Sequence, residues 1–546
     1  MRESQDIAGR RLFSHSSLLS SHSSLVDVST PRRYIWRLAT YPKGSSVNDT
    51  TRAGDVPAYP QLFGHPRPLW MLFMTEFWER FAFYSVSWAL ALYIVAQFYH
   101  GDASGQGWAS AIFGAYTALI YGTGIFGGWV ADKLIGYQRT ILLGAAVMAA
   151  GLFALMVPSR AMLLGGLALV IVGDGLFKPN ISSMVGQLYA RDDDRRDRGF
   201  TLFYMGINAG GLLAPLLTGW MASYFTDTPL QQNYRLVFLA AGVGMLLSLL
   251  WFWFGRRQLG GVGRPAPGQC ARLRVLWVAA GSLAAVPLVY LLMSKVGATG
   301  LQWVLGLLFV AVAAALVAEA ARHGRVQVHR VLAMLVIFAF NVLFCMFYYQ
   351  LGTSFNFLAE NLVDRRMFGG WVFPVGWYQS VSPLAIIVLA PPLTLVWGWL
   401  GKRHREPSIP RKFGLGLIFN AVGFAVLVFA LAHLLGADGL IPFWPLTLCY
   451  VMQTIGELCL SPIGLSMVTK LAPPKLVGVA MGGWFMSLAV GGNLSGLIAS
   501  RISGEHGMTA ASALSGFAFS FWLLAGAGVL LLLIAPLVNR LMHGVR

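Results

Sequence analysis

The chain has 546 residues, 56% of them hydrophobic and only 11% charged, with a mean hydropathy of +0.64 and a formal net charge of +18. A soluble domain carries about 25% charged residues, so this chain has too few charges to cover a water-facing surface of its size, and lipid must solvate most of it. The positive charge does not indicate a nucleic-acid partner. The basic residues, mostly arginine, sit in short loops between apolar spans, with no basic-aromatic groove, and this is the pattern of membrane orientation.

Residues 1–66 differ from the rest. They are rich in Ser and Arg, with runs such as Ser14–Ser24, and contain no 18-residue apolar run. They read as a disordered tail or a start called too early, with an Arg/Ser-rich transit peptide as the lesser alternative. From Leu69 onward apolar spans repeat. Six are predicted near 69–98, 106–133, 138–157, 161–189, 199–224 and 235–254, and two near 274–293 and 301–321. Six more follow near 330–360, 374–400, 412–435, 442–471, 476–500 and 512–541. Each is long enough to cross a hydrocarbon core of about 30 Å. The expected class is an all-α polytopic membrane protein with 14 transmembrane helices. Its expected parts are residues 67–257, 258–328 and 329–546.

Fourteen spans place both termini on one side. Alternate loops hold most of the basic residues, among them Lys133, Arg139, Arg191, Arg195, Arg256, Arg257, Arg403 and Lys475. The opposite loops hold only Arg160, Arg235, Lys295, Arg365, Arg366 and Arg501. The first set is therefore cytoplasmic, and so are both termini. The four cysteines, Cys270, Cys345, Cys449 and Cys459, show no metal-ligand spacing, and three of them read as small buried apolar residues. His100, His329 and His433 also lack partners at ligand spacing. No metal and no cofactor is expected.

The loop after the second span reads GGWVADKLIGYQRT (Gly127–Thr140). Its Asp132, Gly136 and Arg139 match the short-loop motif of the major facilitator superfamily. That resemblance implies two six-helix bundles with the substrate between them, and fourteen spans then add a two-helix insert.

Ionisable residues inside spans are costly, at roughly 2.5–3.5 kcal/mol each, and are functional candidates by default. Glu76, Glu79 and Arg80 lie in TEFWERFAFYS (Thr75–Ser85), at spacings that put all three on one helical face. Two carboxylates and a guanidinium so placed form a proton-binding arrangement; a structural ion pair is the alternative. Lys178 lies in GDGLFKPNIS (Gly173–Ser182), four residues after Asp174 and beside Pro179. It reads as a point charge for a carboxylate, or as a local pair with Asp174. Glu457, in GELCLSPIGLS (Gly456–Ser466), belongs to the second half of the chain. It is placed to face Lys178 across the bundle interface.

These stretches together resemble the proton-dependent oligopeptide transporters, in the bacterial di- and tripeptide branch. The match continues through RRDRGFTLFYMGINAG (Arg195–Gly210), YYQLGTSFNFLA (Tyr348–Ala359) and GELCLSPIGLSMVTKLAP (Gly456–Pro473), in order over residues 69–541. The resemblance implies proton-driven uptake of short peptides by a monomer in a bacterial inner membrane, and no enzymatic activity. By motif, Glu76, Glu79 and Arg80 would handle protons. Lys178 would pair with the peptide carboxylate or help couple protons, and Glu457 would receive the peptide amino terminus. Asn208 would contact the peptide backbone, and Tyr84 and Trp484 would line the pocket.

The sequence departs from the family at four positions. Ser87 stands where an arginine is frequent, and Tyr349 where a carboxylate is frequent. The two changes together leave no unpaired charge, so an outer gate closed by packing or neutral hydrogen bonds is expected. Phe83 replaces a tyrosine and Ser382 an asparagine. Asp174 adds a charge that would hold Lys178 away from substrate or lower substrate affinity. These changes keep open a carrier of another small solute, such as nitrate, an amino-acid conjugate or a drug. A non-transporting membrane sensor is a more remote alternative.

Overall fold

The computed structural model describes residues 58–190, 193, 195–226, 232–265 and 272–545. The chain divides into two units, residues 1–54 and 55–546, and every described residue lies in the second. Residues 1–57, Arg191 and Cys270 are outside the described residues.

In lipid the backbone must satisfy its own hydrogen bonds, so apolar spans become helices. The first six are α1 (Arg67–Phe98), α2 (Gln106–Val130), α3 (Tyr137–Ala154), α4 (Arg160–Gln187), α5 (Arg195–Tyr224) and α6 (Tyr234–Gly255). Two follow, α7 (Arg272–Leu291) and α8 (Gly297–Arg322). The remainder are α9 (Arg325–Tyr348), the short α10 (Ser354–Asn361), α11 (Val381–Lys402) and α12 (Ile409–His433). The last three are α13 (Trp444–Leu471), α14 (Val477–Ser503) and α15 (Ala510–Leu541). Proline in the first turn starts α1, α12 and α13, where its missing N–H costs nothing. A reciprocal cap between Thr509 and Ser512 starts α15.

Thirteen helical stretches among the described residues are long and apolar enough to cross a membrane. One of them runs from Leu273 to Arg322, 50 residues, or about 75 Å of helix. That is more than twice a hydrocarbon core. It breaks at Gly297, whose φ of 66° follows a π-helical turn at Leu292–Val296. The same backbone pattern, a π turn at Ala131–Ile135 and then Gly136 at φ 77°, joins α2 to α3. α7 packs beside that turn, and α8 ends where α9 begins. The stretch is therefore two successive helices, each long enough to cross a hydrocarbon core.

α1 packs on α5 and α6, and α3 on α4 and α6, which builds the first bundle. α9, α12, α13, α14 and α15 build the second. The inserted pair is split between them: α7 lies on α4, whereas α8 lies on α14 and α9. The bundles meet along α2 with α14 and along α5 with α11. At Gly114 an added Cβ would sit 2.8 Å from the Gly496 Cα, so the first seam depends on two glycines in backbone contact.

One expectation is corrected here. Residues 58–66, assigned to the tail, form a small antiparallel hairpin of β1 (Gln61–Leu62) and β2 (His65–Pro66). The hairpin is held by hydrogen bonds that hydropathy does not register. Tyr59 Oη donates to the Leu259 carbonyl at 2.8 Å, and His65 Nδ1 meets Tyr189 Oη at 2.8 Å.

Candidate functional site: a charged cavity between two helix bundles

A cavity of about 350 Å³ lies between the bundles, within the usual range for small-molecule sites. The first bundle contributes Phe83, Tyr84, Ser87, Tyr121, Lys178 and Tyr204. The second contributes Asn341, Tyr348, Gln379, Ser382, Glu457 and Trp484, and the turn after α9 contributes Tyr349. Among the described residues, Lys178 and Glu457 are the only lining residues with a formal charge.

Each charge is held by aromatic rings. Lys178 Nζ lies 4.5 Å from the centre of the Tyr121 ring and 5.7 Å from that of Phe83. Among the described residues it has no ion-pair partner. Glu457 accepts a hydrogen bond of 2.7 Å from Tyr348 Oη. Tyr349 packs between the two holders, its ring centre 5.7 Å from those of both Tyr121 and Tyr348. Ser87 and Tyr349 therefore both line the cavity, and Tyr349 fills its position by ring packing. Trp484 closes one wall, edge-on to Phe338 and Phe413.

Behind Phe83 lies a buried cluster. Arg80 donates from Nε and Nη2 to the two oxygens of Glu79, at 2.5 and 2.6 Å. Its Nε is also 3.3 Å from Glu76, and its Nη2 is 3.5 Å from Asp174. All four side chains are at most 5% exposed. Three carboxyls share one guanidinium, so the buried cluster holds more acidic groups than cations. Among the described residues, Glu76 Oε2 and both oxygens of Asp174 accept no hydrogen bond.

Two sequence expectations are corrected by this geometry. Asp174 does not pair with Lys178; it turns to Arg80, a partner on another helix that spacing along α4 does not reveal. Asn208 does not line the cavity. Its Nδ2 donates to the carbonyl of Tyr204 one turn earlier on the same helix, and Tyr204 lines the cavity instead. Sequence reading also passed over Tyr121 and Tyr348. The YYQ run carried a signal for Tyr348, whereas nothing in the second span distinguished Tyr121 from a packing residue. The remaining motif residues lie elsewhere: Asp132 accepts a hydrogen bond from Tyr137 Oη, and Arg139 opens the third helix. Among the described residues no group of three His, Cys, Asp or Glu could hold a metal ion.

Among the described residues, four side-chain bonds join the bundles in the half of the protein that carries the α1–α2 connection. Asn356 Nδ2 donates to the Trp88 carbonyl at 2.9 Å, and Gln106 Oε1 accepts from the Met508 N–H at 2.8 Å. Trp377 Nε1 and Ser380 Oγ donate to the carbonyls of Leu216 and Leu212, both at 2.9 Å. These bonds tie the two bundles together at that end.

Two bundles, an inserted pair and a cavity at their interface with one cation and one anion define a multi-pass membrane carrier of the major facilitator type. The PTR2 model of the POT family matches residues 138–512. The peptide transporter YePEPT of Yersinia enterocolitica is 34% identical over 524 residues, covering 90% of this chain and 98% of that protein. The dipeptide and tripeptide permease B of another Yersinia enterocolitica strain is 34% identical over 451 residues, 82% of this chain and 89% of its own. The crystal structure of peptide transporter POT in complex with sulfate superposes with a TM-score of 0.77 at 34% identity, covering 90% of this chain and 98% of that one. The chain belongs to the POT family.

Proposed function

We propose that the protein is a proton-coupled symporter that imports di- and tripeptides by alternating access. The observation that carries this reading is the cavity's pair of formal charges, one on each bundle. A zwitterionic peptide needs an anion at one end and a cation at the other. Glu457 meets the amino terminus and Lys178 the carboxylate. Tyr84, Tyr204 and Trp484 accept varied side chains, because apolar contacts discriminate weakly.

The cluster of Glu76, Glu79, Arg80 and Asp174 is the proton store. A proton arriving on it frees part of the Arg80 guanidinium from its carboxylates. The change in charge reaches Lys178 across the Phe83 ring, which both cations face. Under the orientation set by the loop arginines, both termini are cytoplasmic and the end where the four inter-bundle bonds lie faces outward. The membrane is then the inner membrane of a bacterium, and the working unit is a monomer of two bundles that rock about the cavity.

The test is uptake of labelled dialanine into proteoliposomes with and without an inward proton gradient. Gradient-driven uptake that excess trialanine blocks is expected. Glu79→Gln should reduce it to background while leaving gradient-free peptide exchange in place. No uptake by folded protein would overturn the peptide reading, and the search would move to other small solutes. Uptake indifferent to Glu79→Gln would remove the cluster from the mechanism.

A further inference from the structure

A second charged site lies on the first bundle, outside the cavity. Arg139, Arg256, Arg257 and Arg264 line one pocket of about 400 Å³ together with Gln138 and Pro265. Its walls are fixed. The Gln138 N–H donates to the Gly263 carbonyl at 3.0 Å, and its side chain donates to Val262 at 2.7 Å. Gly136 sits against Pro265 so closely that a Cβ would lie 2.6 Å from the proline nitrogen. Among the described residues none of the four arginines has a carboxylate partner. Nη1 of Arg139 is buried with no hydrogen-bond partner among the described residues. Four like charges gathered with no counter-ion among the described residues call for an anion that accepts from several guanidinium groups at once, as a phosphate does.

The pocket does not end there. Arg139 and Arg256 also line a neighbouring hollow of about 790 Å³, whose other walls are apolar side chains such as Leu142, Leu249, Trp253 and Phe254. Those walls come from α3, α6 and α7, and Arg256 lies 3.8 Å over the Trp253 ring. The hollow runs from the charged ends of α3 and α6 along their membrane-facing sides. A free phosphate would use the first compartment and leave the second without purpose. We propose that the two compartments together bind an anionic phospholipid, with its phosphodiester among the arginines and an acyl chain along the groove.

The test is native mass spectrometry of the full chain equilibrated with phosphatidylglycerol and phosphatidylcholine in equal amounts. The unsubstituted protein should retain phosphatidylglycerol selectively. The double substitution Arg256→Gln with Arg264→Gln should lower the retained lipid roughly 30-fold. Lys402→Gln with Arg405→Gln, an equal loss of charge elsewhere, should leave it unchanged. Ala146→Trp, which fills the groove and keeps every arginine, should also displace the lipid. Thermal unfolding in detergent establishes that each variant is folded. Equal losses in both charge-reduced variants would overturn the site in favour of diffuse attraction. Displacement of the lipid by inorganic phosphate, with no effect of Ala146→Trp, would overturn the lipid in favour of a free anion.

Discussion

Phe83 holds a position between two cations, its ring centre 4.8 Å from the Arg80 guanidinium carbon and 5.7 Å from Lys178 Nζ. With no hydroxyl, it cannot relay a proton, so the link between proton store and cavity is electrostatic. Each contact of this kind is worth about 0.5–2 kcal/mol. Phe83→Leu keeps the apolar bulk and removes the ring face. Uptake kinetics should then show KM for dialanine raised roughly 3- to 30-fold with a smaller change in kcat. An unchanged KM would reduce Phe83 to a spacer. A second residue supplies the opposite case. Asp193, outside the spans, accepts from the Arg195 side chain at 2.8 and 3.0 Å and from its backbone N–H at 2.9 Å. These bonds push its carboxyl from 3.8 down to about 2. A depressed carboxyl stabilises the fold above its ordinary value and loses that contribution only as pH falls through about 2. It therefore stays ionised throughout the pH range in which transport is measured. Asp193→Asn should leave the pH profile of uptake unmoved, which a proton-flux titration checks. A shifted profile would place a proton site outside the buried cluster.

At the scale of elements, hydropathy and loop charge made the helices legible, since both are properties of composition along one segment. The predicted and observed bounds of α1 differ only by two residues at its start, Arg67 against Leu69. The hairpin at 58–66 was not legible, because its bonds to Leu259 and Tyr189 join distant parts of the chain. For the same reason the site was legible as a set of charges and not as a set of pairs. Motif spacing gave Glu76, Glu79 and Arg80 one face, but Asp174 joins them only when α4 packs near α1. The α2–α14 seam is another product of packing. Gly114→Ala would force its Cβ to 2.8 Å from the Gly496 Cα, closer than two carbons tolerate, and the helices must part. Cysteines introduced as Gly107→Cys and Ser500→Cys flank the seam, since a Cβ at 107 lies 3.4 Å from Ser500 Oγ. A short bifunctional reagent should join them efficiently in the parent and poorly with Gly114→Ala, and uptake should slow in parallel. Equal crosslinking would show that the seam yields without opening.

For the whole molecule, the decisive feature is that the cavity's cation belongs to the first bundle and its anion to the second. A substrate that spans both charges ties the bundles together, and one too short to span them does not. Each residue adds at most about 3.3–3.6 Å of reach. The amino and carboxylate groups of a single amino acid share one Cα, whereas those of a dipeptide are separated by an added residue. Competition against labelled dialanine should therefore show no inhibition by alanine, strong inhibition by dialanine and trialanine, and a decline beyond that as the cavity of about 350 Å³ fills. The amino-terminal end of the bridge is tested with Glu457→Gln. Hydrogen bonds to a charged group contribute about 1.5–3 kcal/mol, so dialanine should bind roughly 10- to 150-fold more weakly. An amino-acetylated dialanine, which offers no ammonium, should be unaffected by the same change. If alanine competes as well as dialanine, or if both ligands weaken equally, the bundles are not bridged through Lys178 and Glu457, and closure must be driven by the proton cluster alone.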